Sequence, residues 1–182
     1  RTNLAAYSAN GTLNNNWKPT VNLSNGQTTT VWALLVLPTK VIIGGSFDRL
    51  NGSAYYGTGA VERTYGTNLP WASQSTTYQI RFFTKDGAAT SLSTDGNQIY
   101  VTGLAHSTAA GVLGGTMEGR AAISPVNGAL IWINGCYGDT YDAIPIGKVL
   151  YSVGHAHDCS AIGAFPERRP GQRALAETTY VT

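Results

Sequence analysis

The chain has 182 residues, 12% of them charged, 42% hydrophobic and 22 of them glycine, with two cysteines and a formal net charge of +2. That apolar content with nearly balanced charge excludes a disordered chain, and two cysteines are too few for a disulfide scaffold. The basic residues are scattered except for Arg168, Arg169 and Arg173, so no nucleic-acid partner is expected, and the longest apolar run, Val31 to Leu37, is strand-sized, so no membrane insertion is expected.

Arg1 opens abruptly in a segment that reads as structured, without a signal peptide, so the natural start is expected to lie upstream. Gly, Asn, Thr and β-branched residues interrupt every window in which a helical apolar period could be sought. β-rich runs follow instead, at Val31 to Leu37, Lys40 to Ile43, Gln98 to Val101 and Lys148 to Val153. They are bounded by Pro38-Thr39, Gly44-Gly45, Asp95-Gly96-Asn97 and Gly147. Asp95-Gly96 and Asn127-Gly128 predict tight two-residue hairpin turns with positive φ. The Gly111 to Gly119 segment lacks the phosphate-loop pattern and reads as a loop between strands.

A repeat runs through this all-β pattern. Its first part is a small apolar stretch, a turn and a Trp: Leu4 to Tyr7 with Trp17, Gly59 to Val61 with Trp71, and Arg120 to Ile123 with Trp132. Its second part is an apolar strand ending in glycine: Val41 to Gly45, Ile99 to Gly103 and Leu150 to Gly154. Arg173 to Ala176 echoes Arg120 to Ile123 and opens a further unit. The units are 4–58, 59–119 and 120–172, with the start of another at 173–182. Their length, short strands and one Trp each predict blades of a β-propeller, a fold that closes with at least about four blades, and a β-sandwich with chance similarity is the alternative. Three blades predict a part of a longer propeller, or open edges completed by other protein subunits or domains.

The Asn3 to Tyr7 stretch with its turn and Trp, followed by Val41-Ile42-Ile43-Gly44-Gly45-Ser46-Phe47-Asp48-Arg49-Leu50-Asn51-Gly52, resembles the repeat of delta-60 type β-propellers. Gly135 to Tyr141 and Gly154 to Pro166 resemble a segment of large secreted actinobacterial proteins and of minor tail proteins of their phages. The resemblance covers nearly the whole chain and implies an extracellular, cell-surface or virion-associated propeller within a longer polypeptide. It implies no catalysis and carries over no cofactor, since three blades are too few for a quinoprotein site.

Cys136, His155, His157 and Cys159 are the strongest candidates for chemistry. On one extended strand, residues 155, 157 and 159 share a face, so with Cys136 from a neighbouring strand a tetrahedral Cys2His2 metal site is geometrically open. A Cys136–Cys159 disulfide with the histidines beside it is the competing reading, and free thiols are a third. An oxidising setting and a spacing foreign to zinc ribbons favour the bridge. No other cofactor is expected. A Cys159 nucleophile is disfavoured because Asp158 points to the opposite strand face. Asp139 and Asp142 make a thin case for paired catalytic carboxylates, because Asp139 in Gly138-Asp139-Thr140-Tyr141 reads as a turn residue, and Asp48 reads as a side chain bonding turn amides, with a calcium ligand as the alternative.

Trp17, Trp71 and Trp132 recur once per unit and are expected to pack between blades. Tyr55, Tyr56, Tyr137 and Tyr141 fall in loop-like segments and are the candidates for a ligand-binding surface, cell-surface glycans included. The functional expectation is a non-enzymatic structural or binding module of an extracellular assembly, a phage tail or bacterial surface protein. A stand-alone carbohydrate- or cell-wall-binding module, or a secreted enzyme completed by further segments, are the alternatives.

Overall fold

The computed structural model describes residues 1–74, 88–104, 118–135, 139–154 and 178–180. Among these the regular elements are strands, with one 3-10 turn at Ala72–Gln74 and no α-helix. The strands are β1 (Val21–Asn22), β2 (Thr30–Val36), β3 (Lys40–Ser46), β4 (Arg49–Leu50), β5 (Ser53–Ala54), β6 (Thr58–Glu62), β7 (Ala89–Thr94), β8 (Ile99–Leu104), β9 (Glu118–Ile123), β10 (Leu130–Gly135), β11 (Thr140–Ile146), β12 (Val149–Gly154) and β13 (Thr178–Tyr180). The fold is all-β, as expected.

The strands form small antiparallel sheets. The first has the order β2-β3-β6, the second β10-β9-β8-β7 and the third β11-β12-β13, while β1, β4 and β5 make a small accessory sheet. Each of the three larger sheets is therefore a meander of neighbouring strands. The hydrogen-bonded sheets straddle the sequence units, because β6, which carries Gly59 to Val61, closes the first sheet, and β9, which carries Arg120 to Ile123, continues the second, which β10 closes. No closed barrel forms among the described residues.

One irregularity recurs in register. In the first sheet Val31 pairs with Gly45 and the ladder then slips by a residue, in the second Ala89 pairs with Gly103 and slips, and in the third Thr140 pairs with Gly154 and slips. All three are β-bulges near the start of the first strand, facing the last or next-to-last residue of the second, a glycine. The bulge explains the glycine. A Cβ on Gly45 would lie 2.3 Å from the Thr30 carbonyl oxygen, and one on Gly154 would lie 2.2 Å from that of Asp139.

The expected turns are longer than two residues. Gly96 and Gly128 have the positive φ the sequence demanded, at 93° and 72°. However, β7 and β8 are joined by residues 95–98, and β9 and β10 by 124–129. The Asp95 carboxylate accepts the N–H groups of Asn97 and Gln98 at 2.8 and 2.9 Å, which stabilises the wider loop. In the other connection the Ser124 carbonyl accepts the Gly128 N–H at 2.8 Å. A two-residue turn occurs at Gly147-Lys148 instead.

The sheets stack face to face with the second in the middle. Strand β7 touches β2 and β3 on one side and β11 on the other. Alternation along β8 and β9 divides the second sheet into two faces. Ile99, Val101, Ala121 and Ile123 join the main core with Ile42, Ile43, Val61 and Trp71 of the preceding segments. Tyr100 and Ala122 join Ala143 and Leu150 of the third sheet. That second seam is also polar: Thr90 Oγ1 donates to the Thr140 carbonyl at 2.7 Å, Ser93 Oγ to the Ala143 carbonyl at 2.5 Å, and Arg120 to Ser152 Oγ at 2.6 Å.

Candidate functional site

The cysteine and histidine constellation of Cys136, His155, His157 and Cys159 lies outside the described residues, and so does Tyr137. Arg168, Arg169, Arg173 and residues 111–117 of the loop segment lie outside them as well, while Glu118 and Gly119 open strand β9. Among the described residues no group of three or more His, Cys, Asp or Glu could hold a metal ion, and no helix is long and apolar enough to cross a membrane.

Trp17 and Trp71 are each only 4% exposed. The Trp17 indole N–H donates to the Glu62 carbonyl at 3.3 Å, on the following sheet. The Trp71 ring fills the space where Gly128 of the second sheet would carry a Cβ, and the Ala72 N–H donates to Asn127 in the same turn at 2.7 Å. Lys40 Nζ sits 5.8 Å from the Trp71 ring and donates to the carbonyls of Pro125 and Val126 at 3.1 and 2.7 Å. Trp132 is reached from a strand and not from a loop. It lies within β10 past a register shift, opposite Ala122, and its ring is 6.1 Å from that of Tyr100. It packs on the cluster of Tyr100, Ala122, Ala143 and Leu150 between the second and third sheets.

The tyrosine surface needs a correction. Tyr55 is fully buried, and its hydroxyl donates to the Leu69 carbonyl at 2.9 Å. Burial pushes its phenol up to about 12. It is a core residue because the short β4–β5 hairpin folds inward over β6. Tyr56 is half-buried. Tyr141 is in a strand and not a loop, within the bulged start of β11, and remains 49% exposed. Asp48 behaves as expected: its carboxylate accepts the N–H and hydroxyl of Ser24 at 2.8 and 2.5 Å.

Other carboxylates serve turns. Desolvation pushes the Glu62 carboxyl upward, but the N–H groups of Thr64, Tyr65, Thr67 and Gly66 outweigh it and hold the group below the usual carboxylate range. Asp95 is likewise lowered, its desolvation outweighed by the N–H groups of Gln98 and Asn97 and the Tyr100 hydroxyl. Burial, with Asp95 beside it, raises the Tyr100 phenol. An open depression of about 390 Å³ beside Trp71, lined also by Pro70, Ala72, Gln74 and Asn127, offers little to a ligand. Its indole is covered and donates its N–H to Thr58 Oγ1 at 3.3 Å, and Gln74 Oε1 already accepts the Trp71 backbone N–H at 3.2 Å.

The surfaces with most capacity to bind are the two ends of the stack. On the third sheet Tyr141, Ile144, Ile146, Tyr151 and Val153 are between 49% and 63% exposed. Ile144 pairs with Tyr151 and so shares its face. At the other end Leu34 and Val36 of β2 are exposed, with Trp32 on the same strand. The sequence reading missed the β11 face because Pro145 interrupts the run. Proline is tolerated there because β11 is an edge strand. The signal was the alternation of Ile144 and Ile146 opposite Tyr151 and Val149.

Compared with known protein families, curated proteins and solved structures, the chain matches no family model, no curated protein and no solved structure.

Proposed function

We propose that this chain is a non-enzymatic structural and binding module of an extracellular assembly, a run of β-propeller blades of the kind carried by a phage tail or a bacterial cell-surface protein. The observation that supports the reading is the stack: three antiparallel sheets bulged at one register position, packed in series, with apolar side chains exposed at both ends. Proteins that work alone seldom leave such faces bare, and repeat arrays expose them where a further unit or subunit continues the stack. Low charge and the delta-60 resemblance support a place outside the cytosol. The partners in this reading are subunits or domains that complete the sheet edges, together with cell-surface glycans. The test is the native particle mass of the protein from its source, paired with the mass of the denatured chain. A large multi-subunit particle is the expected result, and a catalytically active monomer would overturn the reading.

A second reading, a carbohydrate- or cell-wall-binding module, draws on Tyr141 and Tyr151, two half-exposed aromatic side chains in neighbouring strands. Retention of the chain on purified cell walls, lost on changing both tyrosines to Ala, would favour it.

A further inference from the structure

We propose that the chain docks onto a second copy of itself head to tail, the exposed face of β2 in one copy covering the outer face of the third sheet in the next. The inference rests on the reading of the chain as a stacked array and names the occupant of its open ends.

The argument is continuity with contacts made twice inside the chain. Leu34, Leu92 and Ala143 hold one register position, opposite Ile43, Val101 and Ser152 and equally far from the bulge. In the second sheet Leu92 turns onto the first, where its Cδ1 lies 3.3 Å from the place of a Gly44 Cβ. In the third sheet Ala143 turns onto the second and packs with Tyr100 and Ala122. In the first sheet the same position, Leu34, is 47% exposed.

The other half of the contact repeats as well. Tyr100 pairs with Ser93, and Tyr151 holds the same position opposite Ile144. Tyr100 is fully buried because the third sheet covers it, whereas Tyr151 is 51% exposed. At one end of the stack strand β2 therefore bares the position that covers, while Ile43 beside it is buried, and the other end bares the position that is covered. Both are apolar, so each copy carries the two halves of one contact. Such a contact is heterologous: it closes into a ring if the rotation between copies allows, and extends as a filament if it does not.

The test is sedimentation equilibrium of the purified chain at about 10 and about 200 μM, a range around the weakest dissociation constants of standard interfaces. The expected weight-average mass at the higher concentration is at least twice the 19.2 kDa of one chain. Leu34→Asp and Tyr151→Asp each carry one damaged face and are expected to be monomeric alone. Mixed in equal amounts, they retain one intact face each and form a dimer that grows no further. Circular dichroism checks that each variant folds, and Val36→Lys and Ile146→Lys replace any that does not. A wild type that stays monomeric at both concentrations overturns the proposal, and so do variants that associate as the wild type does. A mixture that stays monomeric excludes the head-to-tail geometry. None of these results bears on the array reading, which the native particle mass decides separately.

Discussion

The bulge and its glycine make a quantitative prediction at two adjacent residues. At Gly45 a methyl group would be placed 2.3 Å from the Thr30 carbonyl oxygen and 3.0 Å from Val31 Cα, both backbone atoms held in the β2–β3 ladder. Carbon and oxygen make contact at about 3.3 Å, so the strands must part by about 1 Å at the bulge. Forcing a methyl into packed surroundings costs about 1–3 kcal/mol, and the loss of glycine freedom in the unfolded chain returns about 0.4–1 kcal/mol. The obstacle is backbone and cannot rotate away, so Gly45→Ala is expected to destabilise by about 2 kcal/mol. At Gly44 the nearest atom is Leu92 Cδ1 at 3.3 Å, the movable end of a side chain. Gly44→Ala is therefore expected to stay within about 0.5–1 kcal/mol of the wild type. Urea unfolding followed by tryptophan fluorescence measures both, with Gly154→Ala as the matched case in the third sheet. Equal costs at Gly44 and Gly45, or a Gly45→Ala protein as stable as the wild type, would refute the bulge explanation.

Further outcomes follow from the seams and turns. Lys40→Met keeps the side-chain stem but removes the donors to Pro125 and Val126, and is expected to cost about 1 kcal/mol in urea unfolding, against less than about 0.5 kcal/mol for exposed Lys18→Met. Tyr55 holds its proton up to about 12 when folded and to 10.0 otherwise, so its contribution is complete below pH 10 and lost as pH rises through 12. Tyr55→Phe is expected to flatten the fall of stability in that window, and an unchanged slope would count against the buried phenol. The lowered Glu62 carboxyl acts in the opposite sense, contributing above its unfolded value of 4.5 and losing that contribution as pH falls through its folded value. The stability gap between wild type and Glu62→Gln is accordingly expected to shrink on acidification below 4.5, read from urea midpoints at stepped pH.

The all-β class was legible because β-branched runs such as Lys40 to Ile43 and Lys148 to Val153 leave no helical alternative. The glycine closing each of three apolar strands was legible as a repeat, but its cause lies in a bulge of the partner strand that only pairing reveals. Strand β7, Ala89–Thr94, escaped notice because it is mostly Thr and Ser. Those hydroxyls read as loop chemistry until Thr90 and Ser93 are seen bonded to carbonyls of the third sheet. Tyr55 misled for a related reason: a tyrosine beside turns resembles a surface residue, yet its hydroxyl finds the Leu69 carbonyl inside.

The position of the second sheet bears on how the molecule comes apart. Its residues Ile99 to Val101 and Ala121 to Ile123 are fully buried, covered from both sides, whereas the third sheet and the edge strand β2 of the first each turn one face to water. In a stack whose layers touch only their neighbours, opening begins where a layer has a single neighbour and spreads inward. Amide hydrogens of β8 and β9 are therefore the last to exchange with solvent, and those of β11 and β12 exchange earlier. A copy docked against the third sheet would slow that outer exchange without touching the middle, so the protection of β11 and β12 reports the state of the end face from within the chain.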